Sequence, residues 1–267
     1  NFSIVLMWKR VRSDTKVVYA IWFCILLHHV VAFFNAYTDG VIGTEGDAHT
    51  LHEIALGTTI GIMHPVDIEM GFLGNPRVCY TNSLALLYRV FGESVLFGNE
   101  LSVLAFTLSC VVLVKLVDLL DLERFRIGIV LFFGLLPSAV IFRSVTFRES
   151  WQALFFLLSV YWAIRLRKRL GILIFSFMLM SAFCMALLHY GLRVYAMYLI
   201  LASIYWGIFC RKKSVRWERQ VWIFFAGLLV AYVMTLAQKM GWVITLERGL
   251  AAVENFREEA SMTAWTR

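Results

Sequence analysis

The side chains best suited to chemistry in this 267-residue chain fall in three short stretches. The first runs from Asp39 through Glu45, Asp47, His49 and His52 to Glu53. Asp47 stands where an N-cap or first-turn acid belongs for the helix that follows. Its alternative role is a general base held just beyond the first apolar run. His49, His52 and Glu53 lie at i, i+3 and i+4, so they share a helix face on which a divalent ion could sit. Against that, the order is not H-E-x-x-H and no fourth ligand is evident.

The second stretch is Pro137–Ser150, where Arg143, Arg148 and Glu149 stand among the hydroxyls of Ser144, Thr146 and Ser150. Charges between apolar runs are costly unless they are paired or used. One reading is an Arg148–Glu149 or Arg143–Glu149 pair with arginine stems lying along apolar surface. The other is a phosphate clamp, because the guanidinium fork matches phosphate geometry. The third stretch, His189-Tyr190-Gly191-Leu192-Arg193, adds another arginine at a turn between apolar runs.

The elements that must position these groups are apolar helices. Hydrophobic residues make up 60% of the chain and charged residues 16%, with a mean hydropathy of +0.74. A soluble domain usually carries about a quarter charged residues, so this composition calls for lipid. Seven windows are predicted to span a membrane: 17–36, 95–117, 127–146, 149–166, 171–190, 194–210 and 220–240. The expected fold class is therefore an all-α polytopic bundle of about seven spans. Residues 1–267 read as a single transmembrane domain, cropped at one or both ends. The long 37–94 connection carries helical apolar spacing at His49–Met63 and Tyr80–Phe91, predicting two short interfacial helices.

The net charge of +7 admits nucleic acid or anionic lipid as partner, and its distribution decides for the bilayer. Basic residues gather before window 17–36, after 95–117, after 149–166 and after 194–210. The positive-inside rule then predicts a cytoplasmic N-terminus and places 37–94, 143–149 and 190–193 outside. Cys24, Cys79, Cys110, Cys184 and Cys210 are scattered singly and read as small buried hydrophobes. His28 and His29, within the first window, read as structural. No P-loop, G-x-G-x-x-G or G-x-S-x-G occurs.

Taken in order, Gly46-Asp47-Ala48-His49-Thr50-Leu51-His52-Glu53-Ile54-Ala55, then Asn82–Gly92, then Pro137-Ser138 through Arg148-Glu149-Ser150, and finally Tyr190–Tyr195, form a familiar series. It resembles the GT-C superfamily of polytopic glycosyltransferases, closest to its bacterial exopolysaccharide and protein-mannosyltransferase-like members. The likeness covers roughly residues 17–200. It departs from the family pattern at Leu51, where an aromatic is usual, and at Ala48, where many members have a second acid. The resemblance implies a bacterial inner-membrane enzyme that moves a sugar from a polyprenyl-phosphate-linked donor to a glycan or protein acceptor. Asp47, or Asp39, would take the acceptor's proton. Arg148, with Arg143 or Arg193, would hold the phosphate, and His52, His49 and Glu149 would orient the partners. No cofactor is certain, and a divalent metal is possible. Two rival readings are a polysaccharide polymerase or ligase acting on lipid-linked glycans and a non-catalytic subunit of a larger membrane complex.

Overall fold

Asp14 starts the first helix that is described along its whole length. Its carboxylate accepts from the amides of Lys16 and Val17 at 3.2 and 3.4 Å, occupying donors that a helix start leaves unpaired. In the computed structural model, which describes residues 14–38, 47–59, 76–169 and 171–209 together with Asn1, Ser3, Val5 and Val11, this helix is α1, Thr15–Tyr37. It is followed by α2 (Asp47–Thr59), α3 (Pro76–Phe91), α4 (Val95–Leu119), α5 (Arg126–Leu135), α6 (Pro137–Phe142), α7 (Glu149–Lys168), α8 (Ile172–Leu188) and α9 (Tyr190–Phe209). A 3-10 turn, Glu123–Phe125, precedes α5. No strand occurs among the described residues. The chain divides into two compact units, Asn1–Ser203 and Ile204–Arg267, and the first carries the architecture described below.

The most buried helix is α4, which packs against α1, α5 and α7; α7 in turn packs on α8. One core layer joins Ile21, Cys24 and Ile25 of α1 to Phe106, Cys110 and Val114 of α4 and Val130 of α5. On the other side of α4, Val112 and Leu116 meet Leu154 and Leu157 of α7. The helices α2 and α3 pair with each other and sit over one end of this assembly. There Leu51, Ala55, Tyr80, Leu84 and Tyr88 close on Val145, Phe147 and Leu188. The two short helices expected in the 37–94 connection thus bury their apolar faces on protein.

The number of spans is corrected. Among the described residues two helices, α1 and α4, are long and apolar enough to cross a membrane, not about seven. Window 127–146 is cut because Pro137 forces Leu136 into an extended conformation, φ −57° and ψ 124°. That leaves α5 with 10 residues, about 15 Å of a hydrocarbon layer about 30 Å thick. In window 149–166, α7 reaches 20 residues but carries Glu149, Gln152, Arg165, Arg167 and Lys168. Those charges suit its dipole, acid at the first turn and bases at the last, rather than lipid. Window 171–190 becomes the 17-residue α8, ended by extended His189. Of window 194–210, the fully described part of α9, Gly191–Ser203, is a shorter apolar helix. Window 220–240 lies outside the described residues.

The helix ends sort into two groups. Asp14, the Asp118–Arg126 junction and Lys168 lie together at one end, where Arg126 reaches Asp14, Asp118 and Glu123 and Lys168 donates to the Leu119 carbonyl. The end of α1, the start of α4, the 143–149 turn and the start of α7 lie at the other, linked by hydrogen bonds described next.

Candidate functional site

The turn between α6 and α7 carries Arg148, and it is pinned by polar side chains of α1 and α4. Asn99, buried on α4, donates from Nδ2 to the Ala32 carbonyl at 3.1 Å and accepts from the Thr146 hydroxyl at 3.0 Å. Ser102 Oγ accepts from the Phe147 amide at 3.3 Å. Asn35 reaches the Ser144 carbonyl at 3.4 Å, and Gln152 donates to the Leu188 carbonyl at 3.2 Å. The turn therefore has α1, α4 and α8 as fixed supports.

Gly98 makes the closeness possible. A Cβ there would stand 2.5 Å from Thr146 Oγ1 and 2.7 Å from Tyr88 Oη, both too near for any side chain. Tyr88 Oη also contacts His52 Nδ1 at 2.8 Å. Through this one hydroxyl, α2, α3 and α4 meet. Burial lowers the His52 pKa below its usual 6.5, and the neighbouring His49 lowers it further. His52 is thus a neutral, hydrogen-bonded imidazole at pH 7.

Above the turn lies a narrow cleft lined by Thr50, Leu51 and Ile54 of α2, Arg77 of α3, and Phe147, Arg148 and Glu149. Its free volume is about 10 Å³, enough for about one water molecule. Arg148 donates from Nε to Glu149 Oε1 at 3.4 Å. The second carboxylate oxygen, Glu149 Oε2, is buried without a partner, as are the hydroxyls of Ser150 and Tyr80. Buried polar atoms of this kind are uncommon and call for a partner.

The predicted residues divide accordingly. Arg148 and Glu149 meet the helix that Asp47 opens, with Thr50 on its first turn as the nearest described contact with the cleft. The Asp47 side chain and the whole of Asp39 lie outside the described residues. Arg143 turns the other way. Its guanidinium lies 3.8 Å from the centre of the Phe133 ring and donates to the Phe133 carbonyl at 3.0 Å. Arg193 is buried and donates from Nε to the Ala186 carbonyl at 3.1 Å. Among the described residues neither lines the cleft.

His49 and His52 separate as well: His49 pairs with Glu53 at 3.2 Å on an exposed surface, while His52 faces Tyr88. His49, His52 and Glu53 do not converge on a point, and no group of three metal-ligating side chains forms among the described residues. Burial pushes the Cys79 thiol up to about 11, which keeps it protonated and inert.

Three contributors escaped the sequence reading. Asn99 and Ser102 are polar residues inside an apolar run, and that cost in lipid was the available signal. Arg77 left none, since it sits in a loop-proximal helix start without a motif. Compared with family models, curated proteins and solved structures, the chain finds no match in any of the three.

Proposed function

We propose that this chain is a membrane glycosyltransferase that moves a sugar from a polyprenyl-phosphate-linked donor to an acceptor hydroxyl. The observation that supports it best is the cleft in which Arg148 and Glu149 meet the helix opened by Asp47. The order of the motifs, in the manner of the GT-C superfamily, supports it independently. In this reading Asp47 takes the proton of the acceptor oxygen as it attacks the anomeric carbon. The bond from that carbon to the phosphate oxygen breaks, and Arg148 holds the charge that the leaving phosphate gains. Glu149 keeps the guanidinium in place through Nε. Chemistry takes place at the end of the bundle away from the Asp14 and Lys168 group, which the positive-inside rule assigns to the cytoplasm.

A cleft with room for one water cannot take a sugar, so binding must part α2 from the 143–149 turn. The test is direct: Asp47→Asn and Arg148→Ala are expressed separately, and sugar transfer in isolated membranes is measured against folded yield. Each change is expected to lower transfer by about a hundredfold or more at normal yield. Transfer that survives both changes would remove the catalytic reading and leave a scaffold subunit.

A further inference from the structure

A buried phenol shares its packing with the walls of the cleft. Tyr80 of α3 is 6% exposed, and it lies in one apolar cluster with Leu51 and Phe147, both of which line the cleft. A tyrosine hydroxyl at such a place normally finds a hydrogen-bond partner, and the Tyr80 hydroxyl has none among the described residues. Ser102 Oγ is near enough to ease its ionisation but outside hydrogen-bonding geometry. That oxygen is bonded instead to the Phe147 amide and carbonyl, at 3.3 and 3.4 Å. Burial first, then Tyr88 and the Glu149 carboxylate, hold the Tyr80 pKa above its usual 10. Tyr80 is therefore a neutral phenol at pH 7, able to donate. Glu149 Oε2 is likewise buried without a partner, and as a carboxylate oxygen it can only accept. The two are complementary to a single ligand hydroxyl. A phenylalanine would fill the Tyr80 space without burying a bare hydroxyl, which destabilises a fold; packing alone gives no reason for the oxygen.

We propose that Tyr80 and Glu149 form a sugar-binding subsite at the cleft, in which one hydroxyl of the donor's sugar accepts from the Tyr80 phenol and donates to Glu149 Oε2. This rests on the glycosyl-transfer reading and deepens it, because it names the residues that tell the sugar from the phosphate. Through Glu149, whose Oε1 accepts from Arg148, the subsite adjoins the proposed phosphate grip. The parting of α2 from the 143–149 turn, already required for entry, separates Leu51 from Phe147 and uncovers the cluster in which the phenol is buried.

The experiment uses the full chain in detergent and compares the affinity of farnesyl phosphate with those of farnesyl phosphoryl mannose, glucose, galactose and N-acetylglucosamine. Farnesol is the uncharged control. The wild type is expected to bind the best sugar ester about tenfold more tightly than farnesyl phosphate, from two added hydrogen bonds. Tyr80→Phe is expected to cut that preference by about fivefold or more and to leave farnesyl phosphate within about twofold of the wild type. Its Tm without ligand should stay level or rise by up to about 4 °C, since a bare buried hydroxyl has been removed. Glu149→Gln, with one acceptor oxygen in place of two, is expected to lose the preference as well. If Tyr80→Phe keeps the full preference, or lowers Tm by about 4 °C or more, the hydroxyl serves the fold and the subsite is wrong. A wild type that binds farnesyl phosphate but prefers no sugar ester also overturns the subsite, and the phosphate grip stands. If farnesyl phosphate binds no better than farnesol, the glycosyl-transfer reading fails with it.

Discussion

Arg143 and Arg148 are chemically identical and sit on one short turn, yet the fold gives them different partners. Arg143 is spread over the Phe133 ring and bonded to the Phe133 carbonyl, with Phe106 as a second ring at 5.5 Å. A desolvated cation–π contact of this kind stabilises by about 2 kcal/mol. Arg143→Ala is therefore expected to lower stability by about 2–3 kcal/mol, including the lost hydrogen bond. Transfer per folded molecule should be unchanged, and thermal unfolding run beside a transfer assay measures both. A variant with normal stability and no transfer would return Arg143 to the phosphate.

His52 provides a second test at the same scale. Its pKa is lowered in the folded protein by burial and then by His49. The unfolded chain, with an ordinary imidazole near pH 6.5, binds the proton more readily. Stability contributed by neutral His52 is thus fully present above about pH 6.5 and is lost as pH falls below it, toward the lowered folded value. His52→Asn is expected to flatten the decline of Tm between pH 7 and pH 5 relative to the wild type. Parallel curves for the two proteins would show that His52 is not held neutral by the fold.

At the scale of elements, the decisive contact is a glycine against a turn. Gly98 lets α4 come within reach of Thr146 and Tyr88, and Asn99 beside it fixes that turn through Thr146. Gly98→Ala is expected to cost about 1–3 kcal/mol, as overpacking of a closed site does. Adding Thr146→Ala removes the nearest clash, so the two losses should not add, a coupling that a double-mutant cycle in denaturant would read. Strict additivity would mean that Gly98 and Thr146 are not in contact.

This geometry also explains what was legible in the sequence. Helical periodicity reported α2 and α3 because each spends its apolar face on a neighbour: Leu51 and Ala55 from one, Leu84 and Tyr88 from the other. It also reported the apolar lengths of α1 and α4. It could not report that Pro137 divides a hydrophobic run, because apolar content is blind to a backbone turned extended at Leu136. Nor could spacing tell that Arg143 points at an aromatic ring and Arg77 into a cleft. Those facts depend on which helices become neighbours, and sequence distance carries little of that. The sorting of basic residues did foreshadow that the 143–149 turn and the α2–α3 pair share one end.

For the whole molecule, the two faces of α1 set the problem. Ile21, Cys24, Ile25, His28 and Ala32 are buried against α4 and α5, whereas Phe23, Leu26, Val30, Phe33 and Phe34 are exposed on the opposite side. Phe23 and Leu26 are 56% and 55% exposed, so more than half of each lies outside the protein's own core. In water it would be a large apolar patch of the kind that soluble monomers avoid. In a bilayer it is the surface that lipid requires, and the 23 residues of α1 extend about 34 Å, enough to cross. Phe23→Arg with Leu26→Arg leaves the buried face untouched and puts two charges near the middle of that stripe. Each is expected to oppose insertion by about 2.5–3.5 kcal/mol. The variant should therefore move from the membrane pellet to the supernatant or to degradation after alkaline carbonate extraction, while Phe23→Leu with Leu26→Val stays in the pellet. A double-arginine variant that pellets like the wild type and keeps its folded yield would show that this face of α1 does not meet lipid. The cleft at Arg148 would then need a soluble phosphate ester.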